Sequence, residues 1–180
     1  MLNRLVKMAA VAAGGYFAMQ LLNKKQHGAL SSSIAESVNI KVPARTAYNQ
    51  WTQFEEFPQF MENVHEVTQL DDTHLRWRAS VGGVEKEWET EITEQIPDKR
   101  IAWRAISGAR HAGVVTFHHI ADNECRVMVQ MDYAPDGAVE QLGDMLGGVR
   151  LQTRADLQRF KQMLESRGSE TGAWRGTVSH

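Results

Sequence analysis

Apolar and charged positions alternate between Thr73 and Ser107, a period that predicts antiparallel strands. The stretch reads THLRWRASVGGVEKEWETEITEQIPDKRIAWRAIS and breaks at Gly82-Gly83 and at Pro97-Asp98, giving a three-strand meander. Glycine reaches the positive φ that a two-residue hairpin turn requires. Pairing Val81 with Val84 across that turn sets Trp77 opposite Trp88, Arg76 opposite Glu89 and Arg78 opposite Glu87. The same parity, carried through the second turn, puts Trp103 on the tryptophan face and Arg104 opposite Glu91. One face is then Leu75, Trp77, Val81, Val84, Trp88, Ile92, Ile101 and Trp103. The other is a ladder of Arg–Glu pairs, each contributing roughly 0.2–1 kcal/mol. The apolar and the charged pattern select the same register.

The rest of the chain supplies a cover for that face. Ile34, Glu36, Val38, Ile40 and Val42 share one parity and predict a strand. Pro43 sets up a short helix over Ala44–Thr52, because its missing N–H is not needed in a first turn. Phe54–Met61 forms a second short helix or turn interrupted by Pro58, and Val64–Leu70 a strand. Ser107–Ala112 is a loop. Gly113–Ile120 and Cys125–Tyr133 make a last hairpin, with Phe117 and Tyr133 facing inward. From Val139 the apolar residues Leu142, Leu146, Val149, Leu157, Phe160 and Leu164 recur with helical spacing, and Arg167-Gly168 ends that helix. Gly143, Gly147 and Gly148 lie inside it, each costing up to ~1 kcal/mol relative to alanine. They permit close approach to the sheet or weaken the helix. The prediction is an α+β fold, a curved antiparallel sheet of about seven strands with one long helix across it.

Both ends of the chain differ from this pattern. Residues 1–26 hold an apolar run, Met8–Leu22, between Arg4 and Lys7 on one side and Lys24 and Lys25 on the other. A retained membrane anchor, an interfacial helix, a cleaved signal and a soluble helix all remain open for it. Its flanking charges balance and give no orientation. Residues 27–33 form a small, polar linker, residues 34–168 the domain, and residues 169–180 a flexible tail.

Composition narrows the chemistry. The 180 residues carry 42% hydrophobic and 23% charged residues, which are globular values. A net charge of −2 without a basic run gives no footprint for nucleic acid. The single Cys125 excludes an internal disulfide and a cysteine-based zinc site. His118-His119 sit on a strand, where neighbours face opposite sides, so they cannot chelate one metal. No HExxH, GxSxG or phosphate loop is present, and no metal or cofactor is expected. Glu85, Glu87, Glu89 and Glu91 belong to the outer ladder, not to a pair of converging carboxylates.

The run Pro43-x4-Tyr48-x2-Trp51-x2-Phe54-Glu55-x-Phe57-Pro58-x-Phe60-Met61-x2-Val64-x2-Val67, the tryptophan meander, and a strand ending Asp132-Tyr133-x-Pro135 before a long helix form a recognisable order. It resembles the polyketide cyclase/dehydrase branch of the START-like (SRPBCC) superfamily, which also holds coenzyme Q-binding START-domain proteins. The resemblance runs from about Ser33 to Arg167. It implies a helix-grip fold whose sheet curls around the terminal helix and encloses a cavity for an apolar small molecule. It implies no reaction and carries no shared catalytic signature.

Joined to that implication, the residues predict a ligand wall of Trp77, Trp88, Trp103 and Phe117, with Tyr133 as a phenol donor. Leu142, Leu146 and Val149 would roof it, and Lys86 would sit at its mouth or snorkel out at the sheet edge. Three readings follow. The first is binding or transfer of a lipid, isoprenoid or quinone, with the N-terminal segment on a membrane. The second is a cyclase or dehydratase using Lys86, Tyr133 or His118. The third is a membrane-tethered structural or stress protein with a collapsed cavity.

Overall fold

The structure is a computed structural model and describes residues 32–134 and 139–179, with side chains from residue 145 onward in the last helix. The apolar segment expected over residues 1–26 lies outside that range. Among the described residues no helix is long and apolar enough to cross a membrane.

The chain runs β1 (Ser32–Ile40), α1 (Ala44–Trp51), a 3₁₀ helix (Phe54–Gln59), β2 (Val64–Gln69) and β3 (His74–Val81). It continues through β4 (Val84–Ile96), β5 (Arg100–Ala105), β6 (His111–Ala121) and β7 (Glu124–Tyr133) to α2 (Val139–Arg167) and β8 (Val178–Ser179). The sheet is antiparallel in the order β1-β7-β6-β5-β4-β3-β2, with β8 added beside β4. Together with α2 this is a helix-grip arrangement. β1 begins two residues earlier than its alternation suggests, inside the expected linker.

The meander keeps its predicted register: Trp77 faces Trp88, and Ile92 faces Trp103. Gly82 and Gly83 take φ of 60° and 79°, the left-handed pair that matches strand twist in a tight hairpin. On the outer face Arg76 pairs with Glu89 at 2.9 Å and Arg104 with Glu91 at 2.6 Å. Arg78 lies opposite Glu87 but pairs with Glu66 of β2 at 2.9 Å. A register shift between Ile92 and Glu94 then turns Gln95 inward, where it is buried and donates to Tyr48 Oη at 3.0 Å.

One half of the concave face is closed by aromatic packing. α1 and the 3₁₀ helix bring Tyr48, Trp51, Phe54, Phe57 and Phe60 against Phe117 of β6 and Phe160 of α2, all 5% exposed or less. Phe160 meets Phe60 at 4.9 Å and Trp51 at 5.1 Å between ring centroids. Polar contacts fix the helix along β1. Arg154 donates to both carboxylate oxygens of Glu36, at 3.0 and 3.2 Å, and Lys161 Nζ to the Asn39 carbonyl at 2.7 Å. Gly168, at φ 74°, ends the helix and donates its N–H to the Leu164 carbonyl at 2.8 Å.

Residues 169–179, expected as a flexible tail, lie across α1 instead. Asn49, Gln50 and Thr52 are buried polar side chains, and the tail satisfies them. The Thr171 amide donates to Gln50 at 3.0 Å, the Trp174 amide to Thr52 at 3.0 Å, and Asn49 to Glu170 at 2.7 Å. Arg175 then reaches Asp98 with a two-pronged contact.

Candidate functional site

The site grows from the strand ends opposite the packed half. The β3–β4 turn, the β5–β6 loop, the start of β1 and the end of β7 all lie at one end of the sheet. The first turns of α2 follow from β7 at the same end, and α2 runs in the direction of β1. Among the described residues the concave face here carries Trp77, Trp88, Trp103, His111, Met131 and Tyr133, none of them fully buried.

The five strands from β3 to β7 present these rings as one wall. Trp77 and Trp88 stack with centroids 6.0 Å apart and planes 3° from parallel. The Trp77 indole N–H donates to Thr90 Oγ1 at 2.9 Å, so its polar edge is already used. Gly108, at φ 73°, folds the β5–β6 loop back until its Cα hydrogen faces Trp88, where a Cβ would come to 3.1 Å of the Trp88 Cβ. That turn brings His111 edge-on to Trp88, at 6.1 Å and 81°. His111 pairs in register with Tyr133, and their rings lie 5.9 Å apart. Trp103 lies flat over Gly113, and any Cβ at Gly113 would overlap the indole.

Among the described residues, two buried polar atoms in this wall, Trp88 Nε1 and His111 Nδ1, have no hydrogen-bond partner. A buried donor or acceptor left unpaired costs about 1–3 kcal/mol. Such groups in a native fold call for a missing partner. Burial also shifts the titrating groups. It lowers the His111 pKa, which favours neutral imidazole, and pushes the Tyr133 phenol up to about 12. Tyr133 Oη has a weak contact with Met131 Sδ at 3.6 Å. The wall is thus apolar and uncharged, with an N–H donor at Trp88, a ring nitrogen at His111 and a phenol at Tyr133.

The predicted residues separate into groups. Trp77, Trp88, Trp103 and Tyr133 are brought together, and Leu146 and Val149 are half-buried on the first half of α2. The Leu142 side chain lies outside the described residues. Phe117 faces inward but sits in the packed half, 5.5 Å from Tyr48 and 6.3 Å from Trp51. Its place there is a correction: six positions along β6 from His111, it is core. Lys86 is exposed, as are all residues from 81 to 87 around the hairpin turn. His118 is exposed and bonds Thr116 at 2.9 Å on the outer face. Gly147 and Gly148 have open space where a Cβ would point, so they do not serve close helix–sheet packing. Among the described residues no group of His, Cys, Asp and Glu could hold a metal ion.

His111 is the residue that sequence reasoning missed. It lies within Ser107–Ala112, which the sequence pattern reads as a loop. The signal was available: His111, Gly113, Val115 and Phe117 share one parity, so an inward Phe117 implies an inward His111 once β6 starts two residues earlier.

Comparison with known proteins agrees with the fold. A family model described as polyketide cyclase / dehydrase and lipid transport matches residues 40–162. An uncharacterized 17.2 kDa protein of Streptomyces lincolnensis is 55% identical over 148 residues, which cover 82% of this chain and 99% of that protein. The crystal structure of the Zhui aromatase/cyclase from a Streptomyces species superposes with a TM-score of 0.70 at 15% identity, covering 81% of this chain and 100% of that one. A START superfamily protein from Mycobacterium smegmatis gives a TM-score of 0.63 at 13% identity, covering 73% and 98%. At those identities the structural likeness is one of fold.

Proposed function

Because the chain belongs to the polyketide cyclase/dehydrase and lipid transport family, we propose that it binds a hydrophobic small molecule of lipid, isoprenoid or quinone type against the tryptophan wall. The observation that carries this reading is the pair of buried atoms Trp88 Nε1 and His111 Nδ1, without a partner among the described residues, on an otherwise apolar surface. An indole N–H only donates, so the ligand presents an acceptor oxygen to Trp88. A carbonyl on an extended apolar body meets that demand, whereas a plain hydrocarbon does not. The same two atoms weigh against a collapsed interior at this end, since collapse would leave both unpaired at full cost.

Native mass spectrometry of gently purified protein, with lipid extraction, tests the reading. A bound apolar molecule, and quenching of tryptophan emission on its return, are the expected results. Trp88→Phe keeps the ring and removes the N–H, so affinity for a carbonyl ligand should drop about fivefold, the equivalent of one ordinary hydrogen bond. Absence of any co-purifying molecule, together with unchanged emission across lipids and quinones, sinks the proposal.

The His111–Tyr133 pair favours a second reading, a cyclase or dehydratase on the same wall. A neutral imidazole can accept a proton from carbon beside a carbonyl, while a protonated phenol donates to that carbonyl oxygen. His111→Gln would then abolish conversion of a bound polyketide-like substrate while leaving its binding intact. Equal loss of both would favour a binding role for His111.

A further inference from the structure

The described chain begins at Ser32, which pairs with Tyr133, and Tyr133 pairs with His111. Residues 1–31 therefore join the domain at the lip of the tryptophan wall. Their sequence contains the apolar run Met8–Leu22, bounded by cationic residues on both sides.

The rim at this end carries apolar side chains that stand exposed among the described residues. Val81 and Val84 flank the hairpin glycines and are 53% and 55% exposed. Ile106, after β5, is 46% exposed, and Met145, in α2, is 43% exposed. A hairpin tip is ordinarily polar, so two valines beside Gly82-Gly83 are out of place for a surface that meets only water. The opposite end also exposes Leu70 and Ile120, but each stands beside an acidic turn, Asp71-Asp72 or Asp122-Asn123. Next to the rim valines Glu85, Lys86 and Glu87 sum to one negative charge, which gives no attraction for an anionic surface.

We propose that this rim is a docking face for a zwitterionic lipid bilayer, on which the N-terminal apolar segment holds the chain, so that the tryptophan wall opens toward the membrane surface. Each half-exposed aliphatic side chain withdrawn from water contributes about a factor of five to partition. Three or four such contacts would be weak for a free domain. The tether changes that. Residues 23–31 reach at most ~30 Å when extended, which confines the rim to a layer beside the bilayer and raises its effective concentration there. This inference rests on the proposed ligand only for its purpose, since delivery from a membrane suits an apolar molecule. The docking itself is independent of the ligand.

The test uses the full chain on phosphatidylcholine vesicles whose acyl chains carry bromine. A fluorophore is attached at Val84→Cys in one protein and at Leu70→Cys in another. The native Cys125 does not compete, because it is buried and its thiol is pushed up to about 11. The bromines should quench the label at position 84 and leave the label at position 70 unchanged, and 1 M salt should not reverse the effect. The triple variant Val81→Asp/Val84→Asp/Ile106→Asp, labelled at Met145→Cys, should still float with the vesicles but lose its quenching. Equal quenching at 84 and 70, release by salt, or failure of the full chain to float overturns the proposal. So does a concentration-dependent blue shift at 84 without vesicles, which would assign the rim to a second copy of the chain. If rim quenching holds while no apolar molecule quenches the tryptophans, the ligand proposal fails and the docking face stands.

Discussion

Phe160 and Trp88 are both aromatic residues on the concave side of this molecule, and they are held in different ways. Phe160 is fully buried, with Phe60 and Trp51 rings against it. Around it the buried polar side chains Asn49, Gln50, Thr52 and Gln95 all have partners. Trp88 is half-buried, stacked on one ring, edge-on to another, and its N–H has no acceptor among the described residues. At one end the concave side is packed and its buried amide and hydroxyl side chains are hydrogen-bonded. At the other, two ring nitrogens have no partner among the described residues, and they are the kind of group a ligand would satisfy. A fold can concentrate its stability at one end and keep the other available, provided the shared sheet stays rigid between them.

Truncation should separate the two ends most clearly. Phe160→Ala removes a ring from a filled core and should cost about 3–5 kcal/mol in urea unfolding. Trp88→Ala removes a larger side chain but one already half in water and short of a hydrogen bond, so its cost should stay near 1–2 kcal/mol. Binding should show the reverse order, with tryptophan-monitored ligand uptake lost in Trp88→Ala. Equal destabilisation by the two changes would mean that the tryptophan end is core as well, and would break the comparison.

Glycines sharpen it with opposite signs. Gly113→Ala places a methyl into the Trp103 indole, with strand backbone on the other side, and should cost about 1–3 kcal/mol. Gly147→Ala meets nothing within 4 Å and replaces the poorer helix former, so it should stabilise by up to about 1 kcal/mol. Both are read from unfolding midpoints. Destabilisation by Gly147→Ala would show that the first half of α2 lies closer to the sheet than its open surroundings indicate.

The meander was legible because two periodic signals, tryptophan against tryptophan and arginine against glutamate, had to agree. The span of α2, Val139–Arg167, followed from its apolar spacing and the glycine that ends it. The site was legible only where parity decides. Trp77, Trp88, Trp103 and Tyr133 follow from alternation, but how deep a residue lies along its strand does not. Phe117 and Lys86 both have the inward parity, and only the position of the cover separates core, wall and exposed tip. His111 was hidden by its glycine-bearing loop, since Gly108 looks like an interruption but acts as the bend that delivers the ring. The tail was unreadable for a different reason. Its partners are polar groups on α1, so no apolar pattern marks it as part of the fold.

The smallest expected effect is on pH dependence, and it tests whether the tryptophan end is dry. Burial lowers the His111 pKa below its ordinary value of 6.5. Above that value both the folded and the unfolded chain hold a neutral imidazole, and His111 adds no slope. As pH falls through 6.5 the unfolded chain takes up the proton first, so stability is lost, and the loss levels off below the lowered native pKa. The carboxylates Asp98, Glu165 and Glu170 have lowered values from hydrogen bonds and ion pairs, and their contribution is lost only as pH falls below the ordinary carboxylate range. Subtracting the unfolding free energy of His111→Gln from that of the native chain, pH by pH, should leave a decline that begins near 6.5 and levels off below the lowered native pKa. A bound ligand that accepts from, or donates to, neutral Nδ1 should deepen that decline, because protonating His111 would also eject it. A flat difference curve would mean that water already reaches Nδ1, and that the contrast between the two ends is one of packing alone.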